Sequence, residues 1–294
     1  MDGILDKRNL PDLDFSTLWE TIILDQEMKD RLLSQAILNF TLRTKVSRSV
    51  VPLHGVILLV GEPGTGKTSL ARGLASRTAK VVNNLGQFLY IEVEPHALAS
   101  AALGKSQKAV TDLLGGTIAE YAASQPLIVL LDEVETLAAD RSKLSLEANP
   151  IDVHRATDAV LAQLDQLAMK YPKLLFIATS NFPKAIDNAF LSRSDLILTI
   201  DLPTMEACRS ILVNTLEGLG DFFPKVKKLA HDAALERAIE LCNGLDGRRI
   251  RKLVVSACTF NKEVALDPNR LSMNDIIRAI KHEKNQLEIS KGVT

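Results

Sequence analysis

The sequence predicts an α/β domain built on a five-stranded parallel sheet, followed by a smaller helical domain. Five short apolar runs have the length of buried strands, at residues 56–60, 88–93, 127–131, 174–180 and 196–201. Segments long enough for a helix separate them, and strands joined in this way form parallel sheets that helices cover on both faces. Strand signals stop after Pro203, where apolar residues follow helical spacing instead.

The chain is expected to begin with a polar arm and linker helices. Residues 1–14 are polar and without periodicity, which predicts a tail or a short partner-binding arm, and residues 16–42 predict one or two amphipathic helices. Further helices are expected at 205–218, 232–241, 247–260 and 272–290. The predicted domains are therefore a tail with linker helices (1–50), a large α/β domain (51–203) and a helical lid (204–294).

Composition narrows the class of protein. Lys and Arg number 35 against 36 for Asp and Glu, so no general attraction to nucleic acid or acidic lipid is expected. The longest apolar runs fall well short of the roughly 20 residues that span a bilayer. The N-terminus is acidic rather than signal-like, and the three cysteines have no metal-binding spacing, so we expect buried thiols and a cytoplasmic protein.

A phosphate-binding loop follows the first predicted strand, residues 56–60. The residues match G-x-x-x-x-G-K-[ST] at every fixed position, with a strand before and a helix-forming segment after. Glycines permit the tight backbone path, the lysine should reach the β- and γ-phosphates, and the threonine hydroxyl should ligate Mg²⁺. An accidental glycine-rich turn is the weaker interpretation. The predicted ATP-binding residues are Gly61, Glu62, Pro63, Gly64, Thr65, Gly66, Lys67, Thr68 and Ser69.

Two further runs end in polar residues that suit hydrolysis. Asp132 and Glu133 follow one of them, and alternation sends their side chains in different directions. Asp132 is a candidate Mg²⁺ ligand with Thr68, whereas Glu133 is the candidate general base for the attacking water. Asn181 ends the next run, where its amide can orient that water or contact the γ-phosphate. Alone, these would be a solvated strand end and a turn, but the preceding phosphate loop favours catalytic roles.

The order of these motifs resembles that of the AAA+ ATPases. Four segments carry the resemblance: the phosphate loop, Leu130-Leu131-Asp132-Glu133, Thr179-Ser180-Asn181 and Gly244-Leu245-Asp246-Gly247-Arg248. Residues 18–20, 132–137, 158–167 and 189–195 are similar to the pachytene checkpoint protein group, which remodels HORMA-domain proteins. The resemblance covers residues 16–260. It implies an AAA+ fold with a helical lid, and a hexameric ring that holds each ATP between two subunits.

The resemblance also assigns residues to this ring. Arg193 is the candidate finger on the neighbour's γ-phosphate, although many relatives carry two arginines where this chain continues with Ser194 and Asp195. Arg248 matches a second sensor on the lid, and a nucleic-acid patch is the alternative interpretation of its basic surroundings.

Loops that grip a protein substrate are expected in the central pore of the ring. The first should contain Ala102, Leu103 and Gly104, where relatives usually carry aromatic residues, and the second should lie within residues 140–154. Few residues precede Ser16, so the resemblance is to short bacterial forms from anti-phage systems rather than to eukaryotic relatives with a long N-terminal domain.

The implied partner is a HORMA-domain protein, in a complex with a nucleotidyltransferase, and the implied cofactors are ATP and Mg²⁺. One competing hypothesis is a nucleic-acid motor or clamp loader, against which the balanced charge and the aromatic content of 4% argue. Another is an ATP-binding scaffold without turnover, against which Glu133 and Asn181 argue.

Overall fold

A computed structural model of the protein describes residues 3–94, 106–138 and 150–292. Its strands are β1 (Ile4–Leu10), β2 (Val56–Val60), β3 (Phe88–Val93), β4 (Leu127–Leu131), β5 (Leu174–Ser180) and β6 (Leu196–Thr199). They form one sheet in the order β1-β3-β4-β5-β2-β6. The five predicted strands are confirmed and pair in parallel, with β6 ending two residues earlier than expected. The carboxyl ends of β2, β4 and β5 meet at one edge, where ligands bind to open α/β sheets.

The sixth strand corrects the prediction of a polar arm. β1 pairs antiparallel with β3 from Ile4 to Leu10, with a shift of register between Ile4 and Asp6, so the sheet has six strands and one antiparallel edge. An edge strand is held by backbone hydrogen bonds and needs few apolar residues. Leu10 is buried at its end whereas Leu5 is exposed. The polar stretch between them therefore gave no strand signal, because only one side of this strand is covered.

Helices cover both faces of the sheet. They are α1 (Leu13–Thr21), α2 (Gln26–Arg43), α3 (Lys67–Val81), α4 (Ser106–Val110), α5 (Ala119–Ser124), α6 (Pro150–Lys170) and α7 (Asn188–Leu191), with a π-helix at Thr111–Ile118 between α4 and α5. Alternate residues of β2 face opposite ways: Ile57 and Leu59 pack with the first three helices, and Val56 and Leu58 pack with the later ones. The side chains of Asp12 and Asp25 accept hydrogen bonds from backbone N–H groups in the first turns of α1 and α2. The linker segment therefore forms two separate helices.

The chain divides into two compact units, residues 1–62 with 67–200, and residues 63–66 with 201–294. The second unit is helical. It contains α8 (Met205–Gly220), α9 (Pro224–Lys227), α10 (Leu235–Cys242), α11 (Gly247–Cys258), α12 (Lys262–Leu266) and α13 (Met273–Gly292). Thr204 and Asp246 cap α8 and α11 with side-chain oxygens. The four loop residues 63–66 thus group with the helical unit and not with the sheet.

The three cysteines all lie in the helical unit. Cys208 and Cys242 are buried as predicted, and Cys258 is half-buried. Burial raises the pKa of each thiol, that of Cys242 to about 12. Over the described ranges of the chain, the structure has no helix that is both long and apolar enough to cross a membrane.

A buried carboxylate ties α3 to the sheet. Glu92 is 1% exposed and receives two hydrogen bonds from the Arg72 guanidinium, at 2.7 and 3.0 Å. The Tyr90 hydroxyl donates a third, at 2.7 Å. The ion pair raises the pKa of Arg72, and burial beside Glu92 raises that of Tyr90.

Removing the arginine should therefore destabilise the fold. Arg72→Ala leaves the Glu92 charge buried without its cation, so we expect the free energy of unfolding to fall by about 3 kcal/mol. Urea unfolding without nucleotide measures it. Arg77→Ala, an exposed position on the same helix, serves as the control. Equal midpoints for the two variants would show that the ion pair adds nothing to stability.

Candidate functional site

The phosphate loop joins β2 to α3 with two glycines in the left-handed region. Gly64 has φ 86° and Gly66 has φ 94°, a backbone that residues with a Cβ rarely adopt. Lys67, the first residue of α3, is 5% exposed. Its amino group donates to the carbonyl oxygens of Gly61 and Glu62, at 2.9 and 2.8 Å. The structure thus holds a buried cation at the mouth of this loop.

A hydroxyl and a carboxylate are in contact at the start of α3. Thr68 donates through Oγ1 to Oδ1 of Asp132, at 2.9 Å. Thr68 is the second residue of α3, and Asp132 directly follows β4. The structure therefore brings together the two residues that the sequence predicts as metal ligands. Both present oxygen atoms, which are the donors that Mg²⁺ prefers.

Glu133 has an unusual backbone. It adopts φ 51° and ψ 51°, and among the described residues it is the one non-glycine with positive φ. Left-handed geometry costs about 1 kcal/mol or more in a residue with a Cβ. Its Oε1 accepts a hydrogen bond from the side-chain amide of Asn181, at 3.1 Å. The predicted base and the predicted sensor are therefore in direct contact.

Two residues that the sequence left without a role complete this network. The Glu135 Oε1 atom accepts a hydrogen bond from the Asn181 backbone, at 3.1 Å. The Thr179 hydroxyl bonds Asp132 Oδ1 and also accepts from the Glu133 backbone N–H, at 3.2 Å. The missing information was the strand order: β4 and β5 are neighbours in register Leu131↔Ala178, which sets Asp132 beside Thr179.

Arg193 is engaged outside this network. Its guanidinium donates to both carboxylate oxygens of Asp165 on α6, at 3.0 and 2.7 Å, and to the Ala189 carbonyl, at 2.7 Å. The hydrogen bonds from Arg193 to the Asp165 carboxylate lower the pKa of Asp165. Asp195, two residues on, accepts from the backbone N–H groups of residues 54–56. Arg193 therefore lies on a segment that Asp195 attaches to the start of β2.

Arg248 meets the phosphate loop through its backbone. Its N–H donates to the Gly64 carbonyl, at 3.4 Å, and its side chain is exposed. Asp246, the cap of α11, lies so close to Gly64 that an added Cβ would stand 2.2 Å from Oδ1. Within the helical unit, the start of α11 is therefore packed on the loop. The predicted pore-loop residues Ala102, Leu103 and Gly104 lie outside the described residues, as does most of the second loop.

Comparisons with known proteins identify the family of this chain. A family model described as "ATPase family associated with various cellular activities (AAA)" matches residues 57–202. CD-NTase-associated protein 6 of Pseudomonas aeruginosa is 56% identical over 290 residues, which cover 99% of this chain and 95% of the relative. The chain belongs to the AAA ATPase family. This AAA ATPase is also 34% identical over 214 residues to the pachytene checkpoint protein 2 homolog of Danio rerio, which covers 71% of the chain and 50% of that relative.

A solved structure has the same fold as this AAA ATPase. The E. coli MS115-1 HORMA:CdnC:Trip13 complex contains a chain that superimposes with a TM-score of 0.77 at 19% identity, and the match covers 95% of both chains. At that identity the likeness concerns the fold alone. The resemblance to the AAA+ ATPases and their pachytene checkpoint group is confirmed, and the AAA ATPase spans about half of the Danio rerio relative. As an AAA ATPase, it binds nucleotide and hydrolyses ATP.

Proposed function

We propose that this protein is a Mg²⁺-dependent ATPase that remodels a HORMA-domain protein and so regulates an antiviral complex with a nucleotidyltransferase. One observation carries the proposal. The chain is 56% identical, over nearly its whole length, to a protein whose name associates it with a CD-NTase. The chain of matching fold belongs to a complex with a HORMA protein and CdnC, which is the kind of partner that this proposal names.

The phosphate loop suits the triphosphate of ATP. Apart from Pro63, which has no N–H group, residues 61–69 would supply backbone N–H groups, and Lys67 would exchange its bonds to the Gly61 and Glu62 carbonyls for phosphate oxygens. A positive charge that is 5% exposed interacts strongly with an anion, because little water screens it. Lys67 therefore acts in binding and in charge neutralisation, not in proton transfer.

Thr68 and Asp132 fit a Mg²⁺ ion. They offer a hydroxyl and a carboxylate 2.9 Å apart. Across the described part of the chain, no group of three or more His, Cys, Asp and Glu side chains is placed to hold a metal. Mg²⁺ takes one or two protein ligands and completes its shell with phosphate and water, so a hydroxyl and a carboxylate are sufficient protein ligands. When bound, the ion would neutralise charge on the transferring phosphate.

Glu133 and Asn181 suit the activation of water. Glu133 would accept the proton of the attacking water, and Asn181, which donates to Glu133 at 3.1 Å, would hold that carboxylate in place. Arg193 would contact the γ-phosphate of a neighbouring subunit in a homo-hexamer, and Arg248 would link the helical unit to the nucleotide. The pore loop at 102–104 and the cytoplasmic location stay predictions.

A purified system tests the partner. The Glu133→Gln protein, loaded with ATP or ADP, is mixed with the HORMA-domain protein of the same source, free or bound to its nucleotidyltransferase. We expect ATP-dependent co-elution with the HORMA protein, and we expect wild-type protein with ATP to separate the two partners. Lys67→Ala serves as the control without nucleotide. Absence of both effects, with turnover that DNA stimulates, would favour the nucleic-acid motor instead.

A further inference from the structure

The hydroxyl of Thr179 makes hydrogen bonds to both adjacent acidic residues of the site, Asp132 and Glu133. It lies near the end of β5 in a residue that is 1% exposed. It donates its proton to Asp132 Oδ1 and accepts the backbone N–H of Glu133, at 3.2 Å. A hydroxyl has one proton and two lone pairs, so both bonds form together. A buried group with its capacity used in this way has a fixed orientation.

On the side of Asp132, the bond sets the direction of the carboxylate. Oδ1 accepts from both Thr68 and Thr179, and a carboxylate oxygen with two donors cannot rotate without losing one of them. Groups that hold a metal-binding carboxylate in this way typically change metal affinity or activity by about 10- to 100-fold when removed. Thr179 therefore acts on the ion through Asp132 rather than by touching it.

On the side of Glu133, the bond holds a strained backbone. Left-handed φ and ψ are unfavourable for glutamate, and such geometry persists only where its surroundings enforce it. The Thr179 hydroxyl fixes the Glu133 N–H, and the Glu133 carbonyl accepts from the backbone and the hydroxyl of Thr136, both at 3.0 Å. The peptide groups on both sides of the base are thereby held, and its side chain can meet Asn181.

We propose that Thr179 is a positioning residue that sets the metal-binding carboxylate and the general base in one fixed arrangement. The inference rests on the roles proposed for Asp132 and Glu133. In this role Thr179 contacts neither ATP nor the attacking water, and it acts only through its two neighbours. The neighbouring Ser180 provides a contrast, because its equally buried hydroxyl accepts from the Phe182 backbone, at 3.1 Å, and so serves a turn.

Two pairs of variants isolate the hydroxyl. Thr179→Val keeps the branched shape and loses the hydroxyl, whereas Thr179→Ser and Thr179→Ala differ only in the hydroxyl. We expect Val and Ala to lower kcat by about 10- to 100-fold with KM for ATP little changed, and Ser to keep most of the turnover. Ser180→Ala is the control with an equally buried hydroxyl. The Ser and Ala pair decides the question if Thr179→Val does not fold.

Two further measurements separate positioning from mere folding. In the Glu133→Gln background at saturating Mg²⁺, Thr179→Val should cause no additional loss of turnover, because residues that act as a unit are not additive. In the same background, the Mg²⁺ concentration for half-maximal ATP binding should rise about tenfold. If Glu133→Gln is inactive but Thr179→Val matches wild type, the role of Thr179 is refuted alone. If Glu133→Gln still turns over, the role of Glu133 as base is refuted first.

Discussion

Glu133→Gln is expected to lower ATP turnover by about a thousandfold and to leave ATP binding intact. A positioned general base contributes roughly 10²- to 10⁴-fold, and the amide has almost no basicity. Glutamine has the size of glutamate, and its carbonyl oxygen can still accept the hydrogen bond from the Asn181 amide. The substitution therefore removes the proton acceptor while the surrounding contacts remain.

Single-turnover hydrolysis and fluorescent-nucleotide binding measure the two quantities separately. Glu120→Gln makes the same chemical change on the exposed face of α5 and should match wild type in both. A Glu133→Gln protein with turnover within tenfold of wild type would mean that another group takes the proton. A protein that no longer binds ATP would mean that the loss came from the loop and not from catalysis.

Arg193→Ala is expected to reduce turnover by about a thousandfold or more, which is the effect of an arginine that stabilises a phosphoryl transition state. Within its own subunit the guanidinium is bound to Asp165 and the Ala189 carbonyl. The role proposed for it in hydrolysis is at the ATP site of a neighbouring subunit. Arg77→Ala, an exposed arginine of the same unit, is the matched control and should keep full turnover.

Mixing two inactive variants tests whether this arginine acts on the neighbour. Arg193→Ala subunits keep the base, and Glu133→Gln subunits keep the arginine. A contact in which the first kind supplies Glu133 and the second kind supplies Arg193 therefore contains both groups. In randomly mixed rings with head-to-tail contacts, about a quarter of the sites should be complete. Recovery of turnover near that fraction supports action between subunits. A mixture as inactive as its parents would assign Arg193 to the stability of its own subunit.

Sequence patterns predicted those parts of the fold for which several neighbouring residues carry the same signal. Each of the five predicted strand segments has four or more apolar residues, and the phosphate loop has four fixed positions, so chance matches are rare. β1 had no such signal, because an edge strand is stabilised by its backbone and alternate side chains of this strand face water. The sequence patterns did not show which distant segments pair with each other.

The same limit explains what was found and missed in the site. Asp132, Glu133 and Asn181 follow apolar runs, and their chemistry suggested roles before any neighbour was known. Thr179 and Glu135 lie in the same motifs, yet their importance depends on β4 and β5 being adjacent in one register. Strand order cannot be read from local periodicity. The roles of all these residues, including Arg193 and Arg248, stay predictions until the variants above are measured.

The antiparallel strand at the edge of the sheet has a practical consequence for shortened forms of the protein. Without residues 4–10, the apolar strand Phe88–Val93 would become the open margin of the sheet and expose a row of unpaired amides and carbonyls. Such margins recruit other chains and lead to aggregation. Residues 4–10, which look dispensable in the sequence, therefore protect this margin from other chains, and a truncation at Pro11 would remove them.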